Sequence, residues 1–281
     1  MNPPAARGGR RWWRLGRWFL AVVAGYAAAV LGFGMNPSTP VDYAMNLGPA
    51  PHHAELVAPS DGVRRLVVLQ HGLWRSAGSL WKLERALQAH GYEVLNVSYP
   101  STEASIAEHA ARLRPQVLAA WQALGPGPKE LHLVGHSMGG LVLRALAQGE
   151  GMPAPTTMVT LGTPHGGAVL VELRRDLWLF RLLMGSRAAL EMAPRAPFFA
   201  GLRPPAFPLG TIVGGRGDQR GWHDAIPGDD DGTVAVAEAG LQGAADSIRV
   251  PVGHTRISFD DRAILQVLAF LKERRFRRDQ T

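Results

Sequence analysis

The chain has 281 residues, 46% of them hydrophobic, and no Cys, which suits one large domain or two small ones and is not a disordered composition. Without Cys there is no disulfide, no thiolate nucleophile and no Cys-based metal centre. Of the net charge of +7, residues 1–17 carry +5 and residues 272–281 carry +3, so the body is near neutral and offers no basic face to nucleic acid.

Basic ends suit an anionic membrane surface. Arg7, Arg10, Arg11, Arg14 and Arg17 precede an uncharged run, residues 18–35, WFLAVVAGYAAAVLGFGM. A bilayer-spanning helix needs roughly 17–25 such residues. The Arg bias places the N-terminus in the cytoplasm and the rest outside, and Trp12, Trp13 and Trp18 suit a membrane interface. The expectation is a hydrophobic helix acting as signal anchor in a bacterial-type inner membrane. The alternative is a signal peptide cleaved near Ala27-Ala28-Ala29, giving an exported protein.

Residues 36–62, with five Pro, read as a linker or a loosely packed lead-in to the domain. After it, apolar runs and helical patterns alternate. Arg65–Gln70 reads as a buried strand, Leu80–His90 as a helix, Tyr92–Ser98 as a strand and Ser105–Leu124 as a helix. Leu131–Val134, Met158–Leu161, Leu209–Val213 and Ser247–Val250 are further strands; Gly140–Gln148 and Ala263–Leu271 are further helices. This alternation predicts an α/β domain over 63–275, with a mostly parallel, doubly wound sheet, followed by a basic tail, 276–281. Ligands bind such sheets at the carboxyl ends of the strands.

Residues 168–206 break the rhythm. A helical pattern over Val171–Met184 leads into a Pro-rich stretch from Pro194 to Pro205. This reads as a lid inserted over the site. The apolar run 177–184 suits either the core or a face that meets lipid.

Within LVGHSMGG, residues 133–140, Gly135-His136-Ser137-Met138-Gly139 fits G-x-S-x-G between a strand and a helix. A nucleophile elbow needs that context, because it exposes the Ser hydroxyl on a crowded turn. Gly135 and Gly139 fall where a side chain would clash. A hydroxyl also needs a base, usually His, and that His needs an acid. Asp229-Asp230-Asp231 and His254 each follow a downstream strand, in the order that the elbow demands. Met138 and Leu73 are the expected backbone donors to an oxyanion, and Gly72 lets the chain approach the substrate. His71, His136 and His165 read as structural. The three Asp lack the spacing of a calcium loop, so neither metal nor cofactor is expected.

Together VVLQHG, GHSMGG, LGTPHGG, DDGTV and the GH at 253–254 resemble the α/β-hydrolase superfamily, its bacterial lipases and esterases in particular, from about Arg65 to Phe270. VSYPST and DGTVAVAEA resemble a branch similar to triacylglycerol lipases and GPI inositol-deacylase-like hydrolases. The resemblance implies Ser137 as nucleophile, His254 as base and Asp231 as acid, because the family places its acid directly before Gly-Thr-Val. It implies a serine hydrolase acting on carboxylic, lipid-like esters. The alternatives are an acyltransferase or thioesterase with the same triad, and a silent module that binds lipid or protein.

Overall fold

The computed structural model describes residue 42 and residues 44–278. The basic segment 1–17, the expected anchor 18–35 and the last three residues lie outside the described residues. Among the described residues no helix is long and apolar enough to cross a membrane.

Six strands form one sheet, all parallel: β1 (Arg64–Gln70), β2 (Glu93–Val97), β3 (Lys129–His136), β4 (Thr157–Leu161), β5 (Leu209–Gly214) and β6 (Asp246–Val250). Their order across the sheet is β2-β1-β3-β4-β5-β6. Side chains alternate between faces along a strand. Val67 and Leu69 therefore join one apolar cluster, and Leu66 and Val68 the other. Helices α1 (Trp81–Ala89) and α9 (Asp261–Glu273) cover the first face. Helices α2 (Ile106–Ala123) and α3 (Met138–Ala147) cover the second. Burial on both faces explains why the inner strands β1, β4 and β5 read as apolar runs, while the edge strands β2 and β6 are only partly covered.

Helix ends follow local chemistry. Ser105 caps α2: its hydroxyl accepts from the Glu108 amide, and the Glu108 carboxylate accepts from the Ser105 amide. Asp260 caps α9 by accepting from the Arg262 amide.

Residues 168–206 hold four short helices: α4 (Val169–Arg174), α5 (Trp178–Met184), α6 (Ala188–Glu191) and α7 (Pro197–Ala200). The single helical pattern expected over Val171–Met184 breaks after Arg174. No residue of α5 is buried. It is tied to the body by Phe180, which packs on the second cluster, and by the indole Nε1–H of Trp74, which donates to the Leu183 carbonyl at 2.5 Å. A short helix, α8 (Val236–Ala239), follows β5, and the sequence reading passed over it.

The described part of 36–62 packs against the domain instead of hanging free. Leu56 is fully buried in the first cluster. Asp42 is buried and accepts from the Ser76 amide and hydroxyl, and pairs with Arg75 at 3.0 Å. At the other end Phe276 packs on Phe270, with ring centroids 4.9 Å apart. Phe276 thus belongs to the core although the sequence reading placed it in the tail.

Candidate active site

Strand β3 ends at His136 and helix α3 begins at Met138, so Ser137 alone makes the turn. Its backbone is at φ 54° and ψ −129°. A left-handed φ at a non-glycine residue costs on the order of 1–3 kcal/mol and persists only when neighbours enforce it. Here the Ser137 amide donates to the Leu161 carbonyl at 2.8 Å. The Ser137 carbonyl accepts from the Gly140 amide at 3.0 Å and the Thr163 hydroxyl at 2.9 Å. A Cβ at Gly135 would fall 2.5 Å from the Gly140 backbone, and one at Gly139 would run into the Gln70 and His71 carbonyls. Close packing of β1, β3 and α3 therefore requires both glycines.

Three side chains from three loops meet at this rim. His254 Nε2 lies 2.9 Å from Ser137 Oγ, and His254 Nδ1 lies 2.6 Å from Asp231 Oδ2. A carboxylate only accepts, so Nδ1–H donates to Asp231 and Nε2 is left to accept from the hydroxyl. The other oxygen of Asp231 accepts from the amides of Thr233 at 2.9 Å and Val234 at 2.7 Å. The His254 amide donates to the Asp231 carbonyl at 2.8 Å, which joins the two loops.

The neighbouring aspartates have other partners. Asp229 accepts from the amides of Arg216 at 2.7 Å and Gly217 at 2.9 Å. Asp230, fully buried, accepts from those of Gly232 at 2.6 Å and His223 at 3.3 Å. Of the three, only Asp231 reaches His254.

Gly72 lies against the serine: a Cβ there would be 2.8 Å from Ser137 Cβ and 3.3 Å from Oγ. The peptide that follows it carries the Leu73 amide. Among the described residues neither the Leu73 nor the Met138 amide donates to a protein acceptor, so both remain available near Ser137.

His71 is wholly buried. Its Nε2 accepts from the Tyr99 amide at 3.2 Å, so Nδ1–H donates to the Gly72 carbonyl at 2.9 Å. Burial pushes its pKa down to about 4, which keeps the ring neutral. His136 is also buried and held well below the ordinary range by burial, with the neighbouring His254 acting in the same direction. Its Nε2–H donates to the His254 carbonyl at 2.9 Å. His165 bonds Thr160 and Arg144. The expected structural roles of all three histidines thus acquire definite partners. Gln70 reaches toward the Val97 carbonyl at 3.4 Å.

The motif LGTPHGG includes Gly162 and Thr163, to which the sequence alone assigns no role. Gly162 has φ 56°, and a Cβ there would sit 3.0 Å from Asp231 Oδ2 and 3.2 Å from His254 Nδ1. The run GTPHGG at 162–167 was the signal available. Among the described residues no group of three or more His, Cys, Asp or Glu could hold a metal ion.

A six-stranded parallel sheet with a serine at its central strand-to-helix turn defines a class. The model of the alpha/beta hydrolase family matches residues 66–275, and the chain belongs to that family. Similar solved structures include the mature lipase BlEst2 of Bacillus licheniformis, with 21% identity and a TM-score of 0.57 over 76% of this chain and 94% of that one. A metagenomic carboxyl esterase is 18% identical, with a TM-score of 0.55 over 78% and 77% of the two chains. The type II thioesterase BorB of the borrelidin biosynthetic cluster is 20% identical, with a TM-score of 0.50 over 80% of this chain and the whole of that one. At these identities the likeness concerns the fold. No curated protein matches the chain.

Proposed function

We propose that this protein is a serine esterase of lipid-like carboxylic esters, working through Ser137, His254 and Asp231. The observation that carries the reading is the unbroken relay from Asp231 through His254 to Ser137 Oγ, at 2.6 and 2.9 Å. His254 Nε2 takes the hydroxyl proton as Ser137 Oγ attacks the ester carbonyl carbon. The Leu73 and Met138 amides stabilise the resulting oxyanion. As the tetrahedral intermediate collapses, the alcohol leaves with the proton from His254, and an acyl-enzyme remains. Water, deprotonated by His254, adds to the acyl carbon, and a second collapse releases the carboxylic acid and returns the proton to Ser137.

The lipid-like substrate is supported by α5. Its Trp178 is 74% exposed and its Leu182 69% exposed, with Leu177, Leu179 and Leu183 beside them. A contiguous apolar surface of this kind marks an interaction site. In this reading residues 168–206 form a lid, tied to the loop after β1 through Trp74 and Leu183. The uncharged run 18–35 is its membrane anchor, which puts the hydrolase domain on the extracytoplasmic side.

The test is covalent. The full chain in mild detergent is treated with a fluorophosphonate and the adduct is located by peptide mass spectrometry. One adduct on Ser137, absent from Ser137→Ala, is expected, with p-nitrophenyl esters of increasing chain length turned over. Folded protein that takes no label, with or without detergent, sinks the reading. Turnover of acyl thioesters far above that of the matching esters would reassign the substrate.

A further inference from the structure

A cavity of about 250 Å³ lies between the far end of α3 and the loop that precedes β5. It is somewhat smaller than the roughly 300–1,000 Å³ of sites for drug-sized ligands. Helix α3 leads away from Ser137, and Arg144 stands about 10 Å along it. The cavity is therefore separate from the serine.

Arg144 lines this cavity and is only 7% exposed. Its Nη1 donates to His165 Nδ1 at 3.3 Å and its Nη2 to the Arg203 carbonyl at 3.4 Å. Both acceptors are neutral and both bonds are long. The ring of His165 is uncharged, since burial, and then the Arg144 charge, push its pKa down to about 3. Among the described residues no Asp or Glu pairs with Arg144, and burial pulls its pKa below the ordinary value with nothing opposing. A buried guanidinium normally has a carboxylate or phosphate partner, because its desolvation costs several kcal/mol.

The mouth carries a second cation. Arg203 lines the same cavity, and it too has no acidic partner among the described residues. Its amide and Nε donate to Gln148 Oε1 at 2.9 and 3.2 Å, and Gln148 Nε2 donates to the Arg144 carbonyl at 3.1 Å. The rim is thus laced to α3, with Arg203 held at its edge. The remaining walls, Ala147, Pro204 and Phe207, are apolar.

We infer that this cavity binds a small carboxylate with an apolar body, its carboxylate on Arg144 and Arg203 and its body against Phe207 and Pro204. A planar guanidinium accepts such a group through two parallel N–H bonds. The inference does not depend on the esterase reading.

Benzoate is the probe, titrated into the full chain by calorimetry at fixed ionic strength, with benzyl alcohol and inorganic phosphate as comparisons. One equivalent of benzoate is expected to bind, with no binding of the alcohol and weaker binding of phosphate. Arg203→Gln, at an exposed position, is expected to fold and to weaken benzoate at least tenfold; Arg144→Gln is expected to abolish binding. No binding of benzoate, equal binding of the alcohol, or unchanged affinity in either folded variant would overturn the inference. Phosphate binding tighter than benzoate would overturn the carboxylate assignment.

Discussion

The Nδ1–H of His71 donates to the carbonyl of Gly72 at 2.9 Å, and that carbonyl shares its peptide plane with the Leu73 amide. A rigid peptide cannot turn one end without the other. His71 thereby aims the N–H assigned to the oxyanion. Loss of a whole oxyanion donor costs about 10²–10³ in kcat. The Arg75 amide also donates to the Gly72 carbonyl, at 3.3 Å, so loss of the shorter tether should cost less: His71→Leu is expected to lower kcat roughly tenfold, with KM little changed. Steady-state kinetics on a p-nitrophenyl ester, beside a thermal melt, check this. Unaltered kcat would mean that the loop holds itself.

His136 acts on the opposite side. Its Nε2–H holds the His254 carbonyl, while its Nδ1 is buried with no partner. His136→Phe removes one net bond of about 1 kcal/mol but also an unpaired buried acceptor, so stability should change little. The loop of His254 should loosen. Fluorophosphonate labelling several-fold slower than wild type is expected, on protein that melts within a few degrees of it.

The aspartates are separable. Asp231→Asn leaves the His254 tautomer uncontrolled and should lower kcat about 10⁴-fold. Asp229→Asn weakens the acceptor for the Arg216 and Gly217 amides and should cost about 1–2 kcal/mol of stability, with near-normal turnover. Equal activity loss in the two variants would remove Asp231 from its assigned role.

Stability should fall on mild acidification. Burial lowers the pKa of His71 and His132 to about 4 and of His165 to about 3, against about 6.5 when unfolded. Between pH 6.5 and 4 the unfolded chain binds protons that the folded chain refuses. The stabilisation is therefore complete well above pH 6.5 and is lost as pH falls, at up to about 3 kcal/mol for His71 and His132 and about 5 kcal/mol for His165. Urea unfolding at pH 8, 6.5, 5.5 and 4.5 should give a free energy already about 1 kcal/mol lower at pH 6.5 than at pH 8 and a steeper decline below it. A level curve down to pH 5 would contradict the neutral, buried state of these rings.

The α5 surface can be tested without touching the serine. Trp178→Ser and Leu182→Ser replace exposed side chains, so folding and turnover of a soluble short-chain ester should be unaffected. Turnover of an emulsified long-chain ester should drop several-fold. If both substrates respond alike, α5 does not meet lipid.

Much of this was legible in the chain. Strands buried on both faces read as apolar runs, and α2 announces its start through Ser105 and Glu108. Ser137 was visible because an elbow crowds its own neighbours, so Gly135 and Gly139 are local requirements. The gap after Arg174 was not legible, because the apolar pattern continues through it; α5 stands on the surface, where packing does not enforce its register.

The sequence by itself determined the alternation of strands and helices, the strained turn at Ser137 and the order of serine, aspartate and histidine. These depend on periodicity and on sterics within a few residues. Only the tertiary structure decided that Asp231 and not its two neighbours meets His254, that His136 holds a carbonyl 118 residues away, and that Arg144 is buried without an acid. Those facts depend on which loops the sheet brings to one edge and which charges the packing shuts off from water, and no local pattern encodes either.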